Sequence, residues 1–211
     1  AVATIDAGKF KAEIVPVELR GRKGEVTLFE VDEGPRHDAS IETLSRLKPA
    51  FRPDGRVTAG NSSTLNDGAA AVVIASRAYA ESHGLTPLAR IVAYGQAALE
   101  PKWLFAAPAK AMPKVLAKTG WTLADIDLIE LNEAFAAQVL ANGYELAGQG
   151  WDWDKVNVNG GGIALGHPIG ASGARVLVTL IFALKERGLK RGMACLCLGG
   201  GEAVAMAVEV E

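Results

Sequence analysis

The chain has 211 residues, of which 49% are hydrophobic, so it is long enough to bury a substantial core, and this composition argues against disorder. Its 22 basic and 24 acidic side chains leave a formal net charge of -2 without a basic stripe, which argues against a nucleic acid partner. No apolar run is long enough to cross a bilayer, and the first residues lack a signal-peptide pattern. We therefore expect a cytoplasmic protein that does not bind membranes.

The chain contains two cysteines, Cys195 and Cys197. So close together on one chain, they are poorly placed to bridge each other, and they lack the second ligand pair that a zinc site requires. We therefore expect reduced thiols in a reducing compartment and no metal site.

The first part of the chain predicts short elements separated by polar segments. Strands are predicted at 13–19 and 69–75, and serine-capped helices at 40–47 and 76–84. A polar, glycine-containing loop at 58–68 precedes the second strand. Because residues 69–75 are continuously apolar, we expect this strand to be buried and covered on both faces.

From about residue 87 the pattern alternates between strand and helix, which favours a mixed or parallel sheet covered by helices. The predicted strands are 90–94, 125–131, 156–159, 194–198 and 203–208. The predicted helices are 109–118, 133–147 and one that begins at Ser172. Thr122 with Asp125 predicts a capping box, and Asn132 is a natural N-cap for the second helix.

A glycine-rich loop at 160–173 contains a single ionisable ring, that of His167. The glycines suggest a backbone that approaches other groups closely. Pro168 biases His167 toward an extended conformation, which would hold the imidazole in one direction. A catalytic ring and a hydrogen-bonded histidine in a turn are both compatible with this loop.

Three polar side chains lie at or after the ends of predicted strands, namely Asn132, His167 and Cys197. Ligands bind at the carboxyl edge of an α/β sheet because strand ends and helix N-termini present free N–H groups there. If the strands are neighbours, these three side chains converge on one site.

Cys197 is the candidate for a reactive thiol. A thiol beside an imidazole predicts a lowered pKa and a role as nucleophile or base. The glycines at 199–201 can present consecutive N–H groups to an oxyanion. We expect Cys195, in contrast, to be a small buried hydrophobic side chain.

Three segments resemble the C-terminal signature blocks of the thiolases, and they match in order and approximate spacing. They are 132–135 (NEAF), 166–170 (GHPIG) and 197–201 (CLGGG). The loop at 60–68 also resembles a segment of this family. The resemblance therefore extends from one end of the chain to the other.

The resemblance implies an α/β protein with the thiolase fold, in which two similar βαβαβαββ halves pack face to face and a loop domain contacts coenzyme A. It implies that residues 1–57 are part of the loop domain. Residues 58–86 would be the closing strand and helix of the N-terminal half. Residues 87–211 would be a complete C-terminal half, with a mixed five-stranded sheet covered by helices.

In thiolases the acylated nucleophilic cysteine lies in the N-terminal half. This chain has no cysteine before Cys195, and its opening residues 1–10 resemble the middle of a family member. We therefore expect an N-terminal thiolase half, on the same or a separate chain, as the partner that supplies the nucleophile.

The resemblance also implies catalytic roles for four residues. His167 would activate the nucleophile and, with a water held by Asn132, would form an oxyanion hole for the thioester enolate. Cys197 would be the acid and base that transfers the α-proton. The backbone N–H of Gly199 would join the nucleophilic cysteine in a second oxyanion hole.

Five further residues are implied to bind substrate. Ser63 would hydrogen-bond the pantetheine arm, and Arg36 would contact the nucleotide end of coenzyme A. Ala134 and Phe135 would line the pocket. Leu104 begins a run, 104–108, that departs from a Met-Gly-x-Gly-Pro pattern of many members, and its bulky second residue could reshape the acyl pocket in either direction.

The implied activity is acyl transfer with thiolytic cleavage or Claisen condensation of acyl-CoA thioesters, and acetyl-CoA C-acetyltransferase is our leading hypothesis. The alternatives are a 3-ketoacyl-CoA thiolase for longer chains and a noncatalytic coenzyme A binding subunit of a two-chain thiolase. A ketoacyl synthase fits less well, because those enzymes usually have a histidine in place of Cys197. Coenzyme A would be a substrate or product, with no cofactor, and we expect a homo-oligomer.

Overall fold

A computed structural model describes residues 1–211, and the first 88 of these form small elements at the surface. These elements are α1 (Val2–Asp6), β1 (Val17–Arg20), β2 (Val26–Phe29), α2 (Ile41–Ser45) and α3 (Arg77–Ser82). β1 and β2 pair as an antiparallel hairpin. The buried residues of this part are Thr4, Phe10, Pro35 and Ala80. The hydrophobic core therefore lies in the rest of the chain.

The serine caps predicted in this part are confirmed. Ser40 Oγ accepts a hydrogen bond from Thr43 N at 3.2 Å at the start of α2, and Ser76 Oγ accepts one from Tyr79 N at 3.2 Å at the start of α3. A side-chain acceptor at this position satisfies an N–H group that has no partner within the helix. These helix starts are local features, which explains why the sequence predicts them.

Residues 69–75 form no strand, so the prediction of a buried strand there is wrong. Val73 is 97% exposed and Ile74 is 72% exposed. A strand needs a neighbour to pair its backbone, and an apolar strand also needs a layer against each face. No segment of this chain pairs with residues 69–75, so their composition alone does not make them a strand.

The remainder of the chain forms a mixed sheet covered by helices, as predicted. Its elements are β3 (Ala89–Ala98), α4 (Pro108–Thr119), β4 (Leu128–Leu131), α5 (Ala136–Leu146), α6 (Gly162–Leu165), α7 (Ser172–Arg187), β5 (Arg191–Leu198) and β6 (Glu202–Val210). The strand order is β3-β6-β5-β4. β4 and β5 are parallel, whereas β6 is antiparallel to both of its neighbours.

The sheet has four strands rather than the predicted five. In place of the strand expected at 156–159 there is a single parallel bridge between Ile129 and Val156. Asn157 has a positive φ of 48°, which turns the chain away from the sheet. Its side-chain amide then replaces the strand, because Oδ1 accepts from Leu131 N and Nδ2 donates to Leu131 O, each at 2.8 Å.

The two faces of the sheet have different helices. α4 and α5 cover one face over a core of 18 buried residues, and α7 covers the other over a core of seven. The strand β6 alternates between these faces, with Ala205 in the larger core and Val208 in the smaller. Gly192 lets α7 approach closely, since a Cβ there would lie 2.8 Å from Leu184 Cδ1.

The helix ends around the sheet agree with the sequence at all but one point. Gly120, with φ 72°, follows α4, and the capping box of Thr122 and Asp125 is present. Asn132 is not the N-cap of α5, however, because residues 133–135 continue as irregular chain and Phe135 takes the capping position. None of the helices is long and apolar enough to span a bilayer.

Candidate active site

Two of the three predicted site residues lie at the same end of adjacent parallel strands. Asn132 directly follows β4, and Cys197 is the next-to-last residue of β5. Leu131 is opposite Cys195 in the register, and Asn132 N donates to Cys195 O at 2.9 Å. The expectation that the strands before Asn132 and around Cys197 are neighbours is therefore confirmed, whereas no strand precedes the loop of His167.

The third residue, His167, is held by a loop that packs against the polar segment 58–68. Its backbone N donates to Thr64 O at 3.0 Å. The preceding Gly166 has φ 87°, and a Cβ there would lie 2.2 Å from Asn66 Oδ1. Only glycine meets both conditions without strain, so this residue places His167 in contact with the segment.

His167 and Asn132 are in contact through their side chains. Asn132 Nδ2 lies 3.5 Å from His167 Nε2, and Asn132 is 1% exposed. Asn132 Oδ1 is buried and has no hydrogen-bond partner in the chain. A buried polar atom of this kind is costly unless something satisfies it, so Oδ1 is suited to bind a ligand or a water.

The other ring nitrogen of His167 contacts a residue that the sequence did not indicate as part of the site. Nδ1 lies 2.5 Å from Ser172 Oγ, and that hydroxyl donates to Pro168 O at 3.0 Å. The Ser172 hydroxyl has one proton, and when it donates that proton to Pro168 O its oxygen can only accept from His167, which places the ring proton on Nδ1. Nε2 then carries no proton, and its lone pair faces the amide N–H groups of Asn132 at 3.5 Å.

The environment of His167 favours its neutral form. Burial lowers the pKa of the imidazole, and the positive charge of Arg175 lowers it further. A neutral ring whose Nε2 carries no proton is able to accept one at neutral pH.

Burial also raises the pKa of Cys197, contrary to the lowered pKa expected from the sequence. A backbone hydrogen bond acts in the opposite direction. Cys197 is therefore a neutral thiol in this chain, because removal from water disfavours the thiolate. Cys195 is fully buried, as predicted.

Glu133 connects the Asn132 strand end with the glycine-rich loop. Its Oε1 accepts from Asn157 Nδ2 at 2.9 Å, and its Oε2 accepts from Ile163 N at 3.1 Å. A Cβ on Gly161 would lie 2.4 Å from Glu133 Cδ. This glycine therefore allows the loop to lie directly on the carboxylate.

The turn between β5 and β6 places Gly199 at the surface beside Cys197. The N–H of Gly199 donates to no backbone carbonyl, and a Cβ there would meet no atom within 4 Å. Gly201 is constrained, since its Cβ would lie 2.4 Å from Leu99 O. A glycine is therefore required at 201, where the backbone lies close to Leu99 O. At 199 the backbone N–H has no carbonyl partner and is available to a ligand.

Ser63 and Ala134 are joined directly. The Ser63 backbone N and hydroxyl both donate to Ala134 O, at 3.0 and 3.1 Å. This contact brings the segment 58–68 against the residues that follow β4. The two predicted binding residues therefore lie together, although their contact with substrate stays a prediction.

Phe135 lies among aromatic side chains from two other segments. The Phe105 ring is edge-on to it at 5.2 Å between centroids, and the Phe51 ring at 6.2 Å. Leu104 is half-buried on the short 3-10 helix Pro101–Ala106 that also carries Phe105.

Arg36 is an exposed side chain in an ion pair. Its Nε and Nη2 donate to the two carboxylate oxygens of Asp38 at 3.0 and 2.8 Å, and 76% of the side chain is exposed. The structure does not bring Arg36 into contact with the other site residues. Its role toward a nucleotide stays a prediction.

Three residues with supporting roles escaped the sequence reasoning. Ser172 was identified as a helix start, although its position five residues after His167 allows the hydroxyl to reach the ring. Gln138 accepts from Ala134 N at 3.2 Å, and Asn142 is a fully buried polar side chain. Polar side chains on the buried face of a predicted helix were the available signal.

Family models match nearly the whole chain. The thiolase N-terminal domain matches residues 1–78, and the thiolase C-terminal domain matches residues 85–210. An acetyl-CoA acetyltransferase of Allochromatium vinosum is 54% identical over 203 residues, which is 96% of this chain and 51% of that protein. An acetyl-CoA acetyltransferase of Chromobacterium violaceum is 56% identical over 209 residues, which is 99% of this chain and 53% of that protein.

Solved structures give the same likeness. The Bacillus anthracis acetyl-CoA acetyltransferase matches with a TM-score of 0.95 and 51% identity, over 100% of this chain and 52% of that one. A human mitochondrial 3-ketoacyl-CoA thiolase matches with a TM-score of 0.88 and 38% identity, over 100% of this chain and 52% of that one. The chain thus spans about half the length of the relatives it matches.

Proposed function

This chain belongs to the thiolase family, and on that premise we propose that it supplies the acid/base and coenzyme A binding part of an acetyl-CoA C-acetyltransferase. The reaction would join two acetyl-CoA molecules into acetoacetyl-CoA and coenzyme A, or would run in reverse. The observation that carries the proposal is the pair of His167 and Asn132 at the sheet edge where Cys197 also lies.

In the condensation direction, Cys197 as the thiolate would remove a proton from the methyl group of acetyl-CoA. The electron pair of the broken C–H bond would move onto the thioester oxygen as an enolate. His167 and a water held by Asn132 Oδ1 would stabilise that negative charge by hydrogen bonds. The unpartnered Oδ1 supports this assignment, since a water needs such an acceptor.

The tautomer of His167 suits two successive tasks. Its unprotonated Nε2 would first accept the proton of a nucleophilic cysteine that this chain does not contain, and the resulting thiolate would take the acyl group from acyl-CoA. The coenzyme A that leaves as a thiolate would take the proton of Cys197, which thereby becomes the thiolate that condensation needs. The resulting Nε2–H would then be a donor for the enolate oxygen. Ser172 would keep Nδ1 protonated throughout, so that Nε2 is the nitrogen that changes.

The neutral thiol of Cys197 is ready for the degradative direction. There, cleavage of the carbon–carbon bond would leave a carbanion on acetyl-CoA, and Cys197 would protonate it. The raised thiol pKa supports this proton donation. In synthesis the same residue must first lose its proton, at a cost that burial increases.

We also propose that the acylated cysteine comes from an N-terminal thiolase half, fused or separate, and that the enzyme is a cytoplasmic homo-oligomer without a cofactor. Gly199 N–H would complete an oxyanion hole with that cysteine. Ser63 and Arg36 would bind the pantetheine and nucleotide parts of coenzyme A, and Ala134, Phe135 and Leu104 would line the acyl end. Free thiols fit a reducing compartment.

The test begins with the native polypeptide that carries this sequence. Intact-mass measurement would reveal whether a cysteine-bearing half is fused, associated or lacking. Acetoacetyl-CoA thiolysis would then be measured for the wild type, for Cys197→Ala and for Cys195→Ala as a control that removes a thiol from the core. We expect thiolysis in the wild type and the control, and a loss of at least about 100-fold in Cys197→Ala.

Thiolysis that survives in Cys197→Ala would disprove the proton-transfer role. Rates that stay flat or rise with 3-ketoacyl chain length would favour the second candidate, a 3-ketoacyl-CoA thiolase, which the structural likeness to the human enzyme supports. Coenzyme A binding without any turnover in the complete native protein would favour the noncatalytic subunit.

A further inference from the structure

Three phenylalanines from distant segments form an aromatic cluster beside the site. Phe135 lies at its centre, and the rings of Phe51 and Phe105 both contact it edge-on. Such edge-on pairs contribute more than their buried area alone. Phe51 is 74% exposed and Phe105 is 38% exposed, so this aromatic cluster keeps an open surface.

The backbone that carries Phe105 is fixed by Asn142 on α5. Asn142 Nδ2 donates to Phe105 O at 2.8 Å and to Gln138 O at 2.7 Å, and its Oδ1 accepts from Ala109 N at 2.7 Å. Asn142 is fully buried, so breaking these bonds would leave polar atoms without partners. The turn at 105–109 is therefore unable to move outward without a large cost.

The aromatic cluster adjoins Ser63, the residue proposed to bind the pantetheine arm. Phe135 follows Ala134, whose carbonyl accepts both bonds from Ser63, and Phe135 forms a bridge with Ser62. An acyl group beyond a pantetheine arm held at Ser63 would thus meet Phe135 and then Phe105. A longer chain would have to displace the Phe105 ring from Phe135, because the backbone behind it is fixed.

We propose that Phe105, held in place by Asn142, is a specificity-determining residue that limits this site to short acyl groups. The inference rests on the proposed function, since it assumes that coenzyme A thioesters bind beside Ser63. The substrate class is thereby acetyl and acetoacetyl thioesters, and longer acyl chains bind more weakly because they have to displace the Phe105 ring from Phe135.

The test is an affinity series measured by calorimetric titration of this chain with coenzyme A, acetyl-CoA, butyryl-CoA and hexanoyl-CoA. In the wild type we expect hexanoyl-CoA to bind at least about tenfold more weakly than acetyl-CoA, because each poorly accommodated methylene is costly. Phe105→Ala should reduce that ratio to within about threefold without changing the affinity for coenzyme A. Phe105→Leu should give an intermediate ratio.

Trp103→Ala is the matched control, because Trp103 is an aromatic residue on the same 3-10 helix, 59% exposed and outside the aromatic cluster. It should keep the wild-type ratio. Circular dichroism would establish that each variant is folded. If the wild type binds all chain lengths equally, or if Phe105→Ala leaves the ratio of hexanoyl-CoA to acetyl-CoA affinity unchanged, this inference is wrong but the proposed function is not affected. A chain that does not bind coenzyme A overturns the proposed binding site and this inference with it.

Discussion

Replacing Glu130 by Gln should remove much of the pH dependence of this chain's stability. Glu130 lies on β4, and its side chain is 2% exposed. Arg175 Nη1 is 3.7 Å from its Oε2, which is an ion pair without a hydrogen bond, and both carboxylate oxygens lack hydrogen-bond partners. Burial therefore raises the pKa of Glu130 from 4.5 to about 8, against the attraction of Arg175.

The direction in which the free energy of unfolding changes with pH follows from the linkage between protonation and folding. The unfolded chain loses this proton near pH 4.5, whereas the folded chain keeps it until about pH 8. The contribution of Glu130 is therefore fully present below pH 4.5 and is lost as the pH rises through about 8. A difference of one in pKa corresponds to about 1.4 kcal/mol, so the loss is on the order of 5 kcal/mol. Glu13, whose pKa burial raises to about 7, adds a loss of the same sign.

The assay is urea unfolding followed by circular dichroism between about pH 5 and pH 9. The wild type should lose free energy of unfolding across this range, and Glu130→Gln should keep only the smaller loss due to Glu13. Glu202→Gln, which changes an exposed carboxylate on β6 of the same sheet, should behave as the wild type. An equally steep loss in Glu130→Gln would refute the reasoning, because Glu130 would then be ionised beside Arg175 throughout.

Three further substitutions test the packing and the site. Leu184→Ala should lower the free energy of unfolding by about 2–5 kcal/mol in urea, because Leu184 lies on α7 and its side chain is fully buried against the sheet. Asn157→Ala should cost about 1–3 kcal/mol in the same assay by leaving the backbone of Leu131 unpaired; a neutral result would mean that water replaces the side chain. Ser172→Ala should convert His167 from the Nδ1–H form to a tautomer mixture, visible in the ring nitrogen NMR shifts; unchanged shifts would contradict the assigned role.

Features that depend on neighbours along the chain were predicted correctly. The caps at Ser40 and Ser76 need only a side-chain oxygen and an N–H three residues later. The same holds for the glycine that ends α4. The alternation of strands and helices after residue 87 likewise predicted a covered mixed sheet. Local geometry is sufficient for all of these.

Features that depend on distant segments were not predictable. Residues 69–75 have the composition of a buried strand but have no pairing partner in this chain. The expected strand at 156–159 is replaced by one side chain, that of Asn157, which pairs with β4 across a long sequence separation. Asn132 was available as a helix cap, yet its side chain contacts His167 instead. The local sequence is compatible with each expected strand or cap, but contacts with distant segments decide which structure forms.

The sequence by itself determined the family and the identity of the candidate site residues, because the segments around Asn132, His167 and Cys197 have a recognisable order and spacing. The tertiary structure alone decided their chemical state. Burial makes Cys197 a neutral thiol where adjacency to a histidine predicted a thiolate, and Ser172 assigns the ring proton of His167. Desolvation and hydrogen bonding act through space, so they are fixed only when the chain has folded.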